Sequence, residues 1–284
     1  MQIISTKSDL QAVVKTCHEQ HQTIGLVPTM GALHDGHASL VKRCVAENDI
    51  CVVSVFVNPT QFNNKEDLRK YPRNLERDAA FLSSLGADYV FAPTPEEMYS
   101  QQEMQTTFAF DFAGLDLVME GKMRPGHFNG VVQVVSRLFY LVQPDRAYFG
   151  EKDFQQLAII HHMVERSSLK DTFGKLEICG CPIVREESGL ALSSRNELLS
   201  AEAKALATNI SRVLMLSRGW QNQSVSEVQQ RVIDEINGIE GLEVEYYEIV
   251  DQTTLQPATT FTNAIGCVTV YCGGVRLIDN VKYN

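Results

Sequence analysis

"VPTMGALHDGHASLV", residues Val27 to Val41, joins the end of an apolar run to the start of a helical pattern through a turn that carries Gly31. His34 and His37 follow that turn three residues apart, a spacing that puts two side chains on one helix face. A strand, a glycine turn and a fresh helix N-terminus together make an anion site, because unpaired backbone N–H groups and the helix dipole point the same way. From spacing alone the two histidines have three readings: phosphate contact, metal ligation, or surface and capping residues. Zinc fits poorly, since H-x-x-H is an inferior helical ligand spacing and no third ligand accompanies it.

Outward from this stretch the same strand–helix alternation repeats. On the N-terminal side, Leu10, Val13, Val14 and Cys17 recur at helical spacing ahead of the strand "TIGLVPTM". On the other side, Leu40, Val41, Cys44 and Val45 continue the helix. "ICVVSVFV" (Ile50 to Val57) is a near-continuous apolar run, the mark of a strand covered on both faces. A charged helical stretch is expected from about Leu68 to Leu85, and then a strand at "ADYVFAP". "GVVQVVSRLFYLV" reads as a buried helix, "AYFG" as a strand, and Asp153 onward as another helix. This alternation predicts an α/β fold: a mostly parallel sheet of βαβ units flanked by helices on both faces. After about residue 175 the pattern changes. Ser200 to Arg218 reads as a helix with a serine N-cap, and Ser224 with Glu227 has capping-box spacing. "LEVEYYEIV", "AIGCVTVYCGG" and "VRLID" read as strands. The expected division is therefore 1–175 for the α/β part and 176–284 for a smaller C-terminal α+β domain.

Charge and cysteine content restrict the function. The formal net charge is −10 over 284 residues, which opposes a nucleic-acid partner but leaves room for a local cationic cluster around a nucleotide. The seven cysteines are odd in number and mostly lie in apolar runs, so reduced, buried thiols in a cytoplasmic protein are expected. Cys179-Gly-Cys181 lacks a second ligand pair at zinc spacing. The N-terminus reads as no signal peptide. The longest apolar stretch is interrupted by Gln133, Ser136 and Arg137, so no membrane span is expected.

Ligands of open α/β sheets bind at the carboxyl ends of strands. Four polar clusters fall at predicted strand ends or in the polar loop: Met30 to His37, "NPTQF" with Asn58 and Gln61, "GEKDFQQ" from Gly150 to Gln156, and "SSR" from Ser193 to Arg195. They supply imidazoles, carboxamides, a lysine, an arginine and hydroxyls, and none contains a cysteine. Such an inventory suits stabilisation of negative charge on phosphate by positioned donors. Each cluster alone could be a turn or a helix start. "MRPGHFNG", with Arg124 and His127, reads equally as a site edge or as a plain helix start.

Taken in order, "PTMGALHDGH", "FVNPTQF", "RPGHFNGV", "FGEKDFQQL", "GLALSSRN" and "RLIDN" closely resemble the pantothenate synthetase (pantoate–β-alanine ligase) family, over nearly the whole chain. The resemblance implies a nucleotidyltransferase-superfamily core, a Rossmann-like parallel sheet flanked by helices that binds ATP and pantoate in 1–175, with 176–284 as a smaller C-terminal α+β lid domain, and two chemical steps. ATP and pantoate give pantoyl adenylate and pyrophosphate; the amine of β-alanine then displaces AMP to form pantothenate, a coenzyme A precursor. It implies that Met30, Gly31 and the helix start lie along ATP, that His34 and His37 meet its phosphates, and that His37 donates a proton. Gln61 and Gln156 would bind pantoate, Gln61 would also meet β-alanine, and Asn58 would support that pocket. Gly150, Glu151, Lys152 and Asp153 would contact the nucleotide, with Lys152 on the phosphates and Asp153 near the ribose. Val184 would meet adenine through its backbone. Leu192, Ser193, Ser194 and Arg195 would form a mobile phosphate loop. The implied catalytic set is His34, His37, Lys152 and Arg195. Magnesium would accompany ATP, with no protein metal ligand assigned and no organic cofactor. A homodimer is implied, with no nucleic-acid or membrane partner. Competing readings are an adenylyltransferase acting on another small acid or phosphate, a truncated aminoacyl-tRNA synthetase, and a silent ATP-binding regulator.

Overall fold

Leu26 and Val27 are fully buried, and the strand that holds them, β2 (Ile24–Thr29), lies in the interior of the main sheet. The computed structural model describes residues 1–62 and 65–283. β2 is flanked by β3 (Ile50–Val55) on one side and β5 (Arg146–Gly150) on the other. The sheet has six strands, completed by β1 (Gln2–Ile4), β4 (Tyr89–Phe91) and β6 (Glu177–Cys181), in the order β1-β4-β3-β2-β5-β6. All the pairings are parallel. Helices cover both faces, as a parallel sheet requires. The edge strand β1 has only three residues, too few for a periodic pattern to reveal it in the sequence.

The chain builds outward from β2 to β3 and β4, and then crosses back to β5. The reversal point therefore lies between β2 and β5. Their ladder is short, Gly25 with Arg146 and Leu26 with Ala147, so beyond it the carboxyl ends part into a crevice. An open α/β sheet binds its ligand at this kind of reversal.

The first helices are α1 (Lys7–Glu19), capped by Thr6, and α2 (Asp35–Glu47), which follows the Gly31 turn. The expected single helix over Leu68–Leu85 is instead two, Lys65–Lys70 and Leu75–Ser84, the second capped by Asn74. Pro72 separates them, because proline excludes the helical conformation from the residue before it. The buried helix His127–Val142 forms as expected.

The C-terminal part stacks the helices Ala201–Ser217 and Val225–Asn237 on an antiparallel sheet of β7 (Leu242–Asp251), β8 (Ala264–Cys272) and β9 (Val275–Lys282). Ser200 caps the first of these helices, and Ser224 with Glu227 closes the capping box on the second. One face of this sheet meets its own helices. Val250, Leu255, Ile265 and Cys267 instead join the core of the parallel-sheet half. The division expected after residue 175 falls before β6, whose five residues belong to the parallel sheet.

Candidate active site

Two adjoining cavities open at the crevice between β2 and β5. The first, about 210 Å³, is lined by the histidine turn, by Gly150, Lys152 and Asp153, and by Val184 and Leu192 through Arg195. The second, about 180 Å³, is lined by Asn58, Gln61 and a wall of Val131, Val134, Val135 and Leu138. Met30, His37, Tyr71, Asp153 and Gln156 border both. Polar groups distant in sequence thus converge on one branched cleft.

The two histidines are not a pair on one helix face. His34 is the N-cap of α2, with extended backbone, and its Nδ1 accepts the Gly36 N–H at 3.1 Å. His37 stands at the third helical position, and its Nδ1 accepts the His34 N–H at 3.3 Å. This is a capping box built from imidazoles, in place of the usual Ser/Thr and Glu/Gln. The rings lie 4.2 Å apart. Because both Nδ1 atoms accept, each neutral ring carries its proton on Nε2. Desolvation, with neighbouring His34 and Lys152, lowers the His37 pKa to about 3. Desolvation and Lys152 lower that of His34 as well. The helix therefore begins with two neutral N–H donors.

The turn that delivers them is held from below. Gly31 and Ala32 both have positive φ, 83° and 51°. Buried Asp78 accepts the N–H groups of Ala32 and Leu33 at 3.0 and 2.9 Å. A Cβ on Gly31 would meet Asp78 Oδ2 at 2.9 Å. Gly31 therefore shapes the turn and does not line the cavity, and Asp78 shows no motif in the sequence.

The amide end is equally determined. Asn58 is 1 % exposed. Its Oδ1 accepts from the hydroxyls of Tyr99 and Thr60, both at 3.0 Å, which leaves Nδ2 to donate to Gln61 Oε1 at 3.1 Å and to the Gly130 carbonyl at 3.0 Å. Gln61 must then turn its NH₂ the other way, toward Met30 Sδ at 3.0 Å and the cavity. His127 resolves the double reading of "MRPGHFNG". It opens the helix His127–Val142, and its Nδ1 donates to the Gln61 carbonyl at 2.9 Å, while Nε2 faces Arg124 at 3.2 Å. Burial and the Arg124 charge push its pKa down to about 4.

The cationic side of the cleft comes from both halves of the chain. Lys152 follows β5, with its Nζ 3.2 Å from Asp153. Arg195 arrives on the loop after a tight hairpin, in which Arg185 bridges Ala191 and Leu192 N–H bonds to the Val184 carbonyl. Ser193 caps the short turn that follows by accepting the Arg195 N–H. Glu151 does not face the cleft: its carboxylate pairs with Lys282 at 2.8 Å. Tyr71 lines both cavities, a place that sequence reasoning misses. It hydrogen-bonds Ser194, and burial raises its pKa. Its only sequence signal is the "YPRN" turn.

Crevice, neutral donors, paired cations and an amide-floored side pocket define an α/β protein built to hold a polyanion beside a small acid. The chain belongs to the pantoate-beta-alanine ligase family, whose model matches residues 2–282. These are ligases that form an amide bond using ATP. The chain is 58 % identical over 287 residues to pantothenate synthetase of Bacteroides thetaiotaomicron, covering all of this chain and 99 % of that one. The crystal structure of pantothenate synthetase from Thermus thermophilus matches at a TM-score of 0.90 with 43 % identity, covering both chains fully. Pantoate-beta-alanine ligase from Francisella tularensis, solved in complex with beta-gamma ATP and beta-alanine, matches at 0.80 with 35 % identity, covering 99 % of this chain and 97 % of that one.

Proposed function

We propose that the cleft activates the carboxylate of pantoate with ATP and passes the acyl group to β-alanine. The observation that carries this reading is the side pocket: an amide floor and a valine wall opening directly onto the phosphate cleft. Pantoate has a carboxylate and hydroxyls for the amides and a dimethyl-substituted carbon for the valines. The Francisella tularensis relative, complexed with beta-gamma ATP and beta-alanine, supports ATP and β-alanine as the other two substrates.

ATP lies along Met30 and the start of α2, with adenine near the Val184 backbone and ribose near Asp153. A pantoate carboxylate oxygen attacks the α-phosphorus, the bond to the bridging oxygen breaks, and pyrophosphate leaves. The attack brings two anions together, so donors must offset the repulsion. His34 and His37 supply neutral N–H groups, and Lys152 and Arg195 supply positive charge. Because His37 is neutral, with Nδ1 accepting a backbone N–H, it serves as a hydrogen-bond donor to the phosphate oxygens through Nε2–H and keeps that proton throughout. Gln61 and Gln156 hold pantoate so that its carboxylate faces the phosphorus. In the second step the β-alanine amine attacks the acyl carbon, the acyl–oxygen bond to AMP breaks, and the amine loses a proton as the amide forms.

Magnesium enters as the counter-ion of ATP and counts as part of that substrate. Resemblance supports a homodimer, which light scattering after size exclusion checks. Seven buried, unpaired cysteines support a reducing cytoplasm. No helix among the described residues is long and apolar enough to cross a membrane.

The test is pyrophosphate release with ATP and magnesium, with and without pantoate, omitting β-alanine. A pantoate-dependent burst of about one equivalent per site is expected. Lys152→Ala and His37→Ala each slow that burst by about 10²- to 10³-fold, and Gln156→Ala raises the KM for pantoate more than that for ATP. Release that ignores pantoate would move the chain to a different acceptor.

A further inference from the structure

"RLIDN", Arg276 to Asn280, belongs to the ordered set of motifs; none of its residues lines the two cavities above, but Ile278 and Asp279 line an adjoining one that shares Lys152, Asp153, Gln156 and Arg195 with the cleft. The motif lies on β9, in the C-terminal sheet. Its last residue reaches the lysine-bearing turn after β5. Asn280 is 4 % exposed. Its Nδ2 donates to the main-chain carbonyls of Glu151 at 2.8 Å and Lys152 at 3.0 Å. Those carbonyls belong to the two peptide groups on either side of the Lys152 Cα. One carboxamide therefore fixes both, and a neutral side chain with two N–H bonds on one atom is what two buried carbonyls require.

Asn280 is itself held. It pairs with Cys267 in the β8–β9 ladder. Its own N–H bonds Asp279 Oδ1 at 2.8 Å. Asp279 in turn takes both ends of the Arg185 guanidinium at 2.7 and 2.9 Å. Arg185 stands at the base of the hairpin that leads into Leu192–Arg195. The adjacent pair Asp279 and Asn280 thus touches the supports of both cationic loops, one through a side chain and one through main-chain carbonyls. The turn Glu151–Asp153 is only three residues long, too short for internal hydrogen bonds alone to define its shape.

We propose that Asn280 is a positioning residue for Lys152. It locks the lysine turn in register with the Arg195 loop that Asp279 anchors. The inference rests on the reading that Lys152 acts on the phosphates. Its physical basis is that a misplacement of about 1 Å in a positioned group costs about 100-fold in rate.

The experiment is a double-mutant cycle on the pyrophosphate burst, using the whole protein: wild type, Asn280→Ala, Lys152→Ala and the double variant, with pantoate KM and melting midpoint for each. Asn280→Ala is expected to slow adenylation about 10- to 100-fold with little change in pantoate KM. In the Lys152→Ala background the same change should cost almost nothing, because residues acting through one another are not additive. Equal losses in both backgrounds would overturn the inference, as would a loss that merely follows the melting midpoint. A slow Lys152→Ala with a normal Asn280→Ala would overturn the positioning role alone. A normal Lys152→Ala would remove the phosphate role of the lysine and this inference with it. If Asn280→Ala fails to fold, Asn280→Ser keeps a small neutral polar side chain too short to hold both carbonyls, and carries the same comparison.

Discussion

A histidine can carry its function in the proton it does not take up. His127 faces a carbonyl with one ring nitrogen and a guanidinium with the other, so only the neutral Nδ1–H tautomer satisfies both partners. Its folded pKa, about 4, lies below the ordinary 6.5 of an unfolded chain. A depressed pKa means that the unfolded state takes up the proton first. The stabilisation is complete above pH 6.5 and is lost as pH falls toward 4. By pH 5 this group accounts for on the order of 2 kcal/mol of lost stability. His127→Gln can keep a donor on the Gln61 carbonyl without titrating. Urea unfolding at pH 7 and pH 5 should show a smaller acid loss in the variant, and an identical loss in both would discard this account. The sequence presents His127 only as one residue in a turn-rich stretch. Its orientation depends on Gln61, 66 positions away.

At the scale of elements, the decisive contact is that of the helix His127–Val142 against the Pro59–Gln61 turn. Gly130 lies inside that helix, where glycine is ordinarily unfavourable by about 1 kcal/mol relative to alanine. A Cβ there would come within 2.5 Å of the Thr60 carbonyl and 2.6 Å of the Gln61 N. Glycine is needed because two backbones touch. Gly130→Ala should therefore destabilise by about 1–3 kcal/mol, as overpacking does, and should raise the pantoate KM, because the turn that moves carries Gln61. A destabilised variant with unchanged pantoate KM would separate the contact from substrate binding. The helix is legible from its apolar pattern, and "RPGHFNG" is legible as a motif. That the glycine serves the opposite turn is not, since no local pattern records a non-local approach.

At the scale of the whole molecule, the two halves are joined by a half-buried ion cluster. Glu120, from the parallel-sheet half, takes both Arg276 guanidinium nitrogens at 2.8 and 2.7 Å and the Tyr246 and Thr269 hydroxyls at 2.9 and 3.0 Å. Glu245 receives Arg276 Nε at 2.9 Å. Burial alone would raise the Glu120 pKa, but Arg276 and its hydrogen bonds hold it at about 2. Arg276→Ala would leave two carboxylates facing each other with their main cation gone. A loss of about 3–5 kcal/mol is expected, read as a lower urea midpoint. A shift within error would mean that solvent or Arg124 compensates. Such a joint also limits how freely the C-terminal part can act as a lid, because opening at this seam would separate Glu120 from Arg276.

The sequence by itself determined the alternating strands and helices, the capped C-terminal helices and the polar clusters at strand ends. These depend on periodicity and on residues a few positions apart. It also showed, through six ordered motifs, which family the chain resembles. Only the tertiary structure decided the break at Pro72, the edge strand β1, the membership of β6 in the first sheet and the side to which Glu151 turns. It alone disclosed Asp78 beneath the histidine turn, Tyr71 on the cleft wall and Asn280 behind Lys152. Each of these is a contact between segments distant in the chain, and hydrogen-bond direction, desolvation and close backbone approach take definite values only once those segments are packed together.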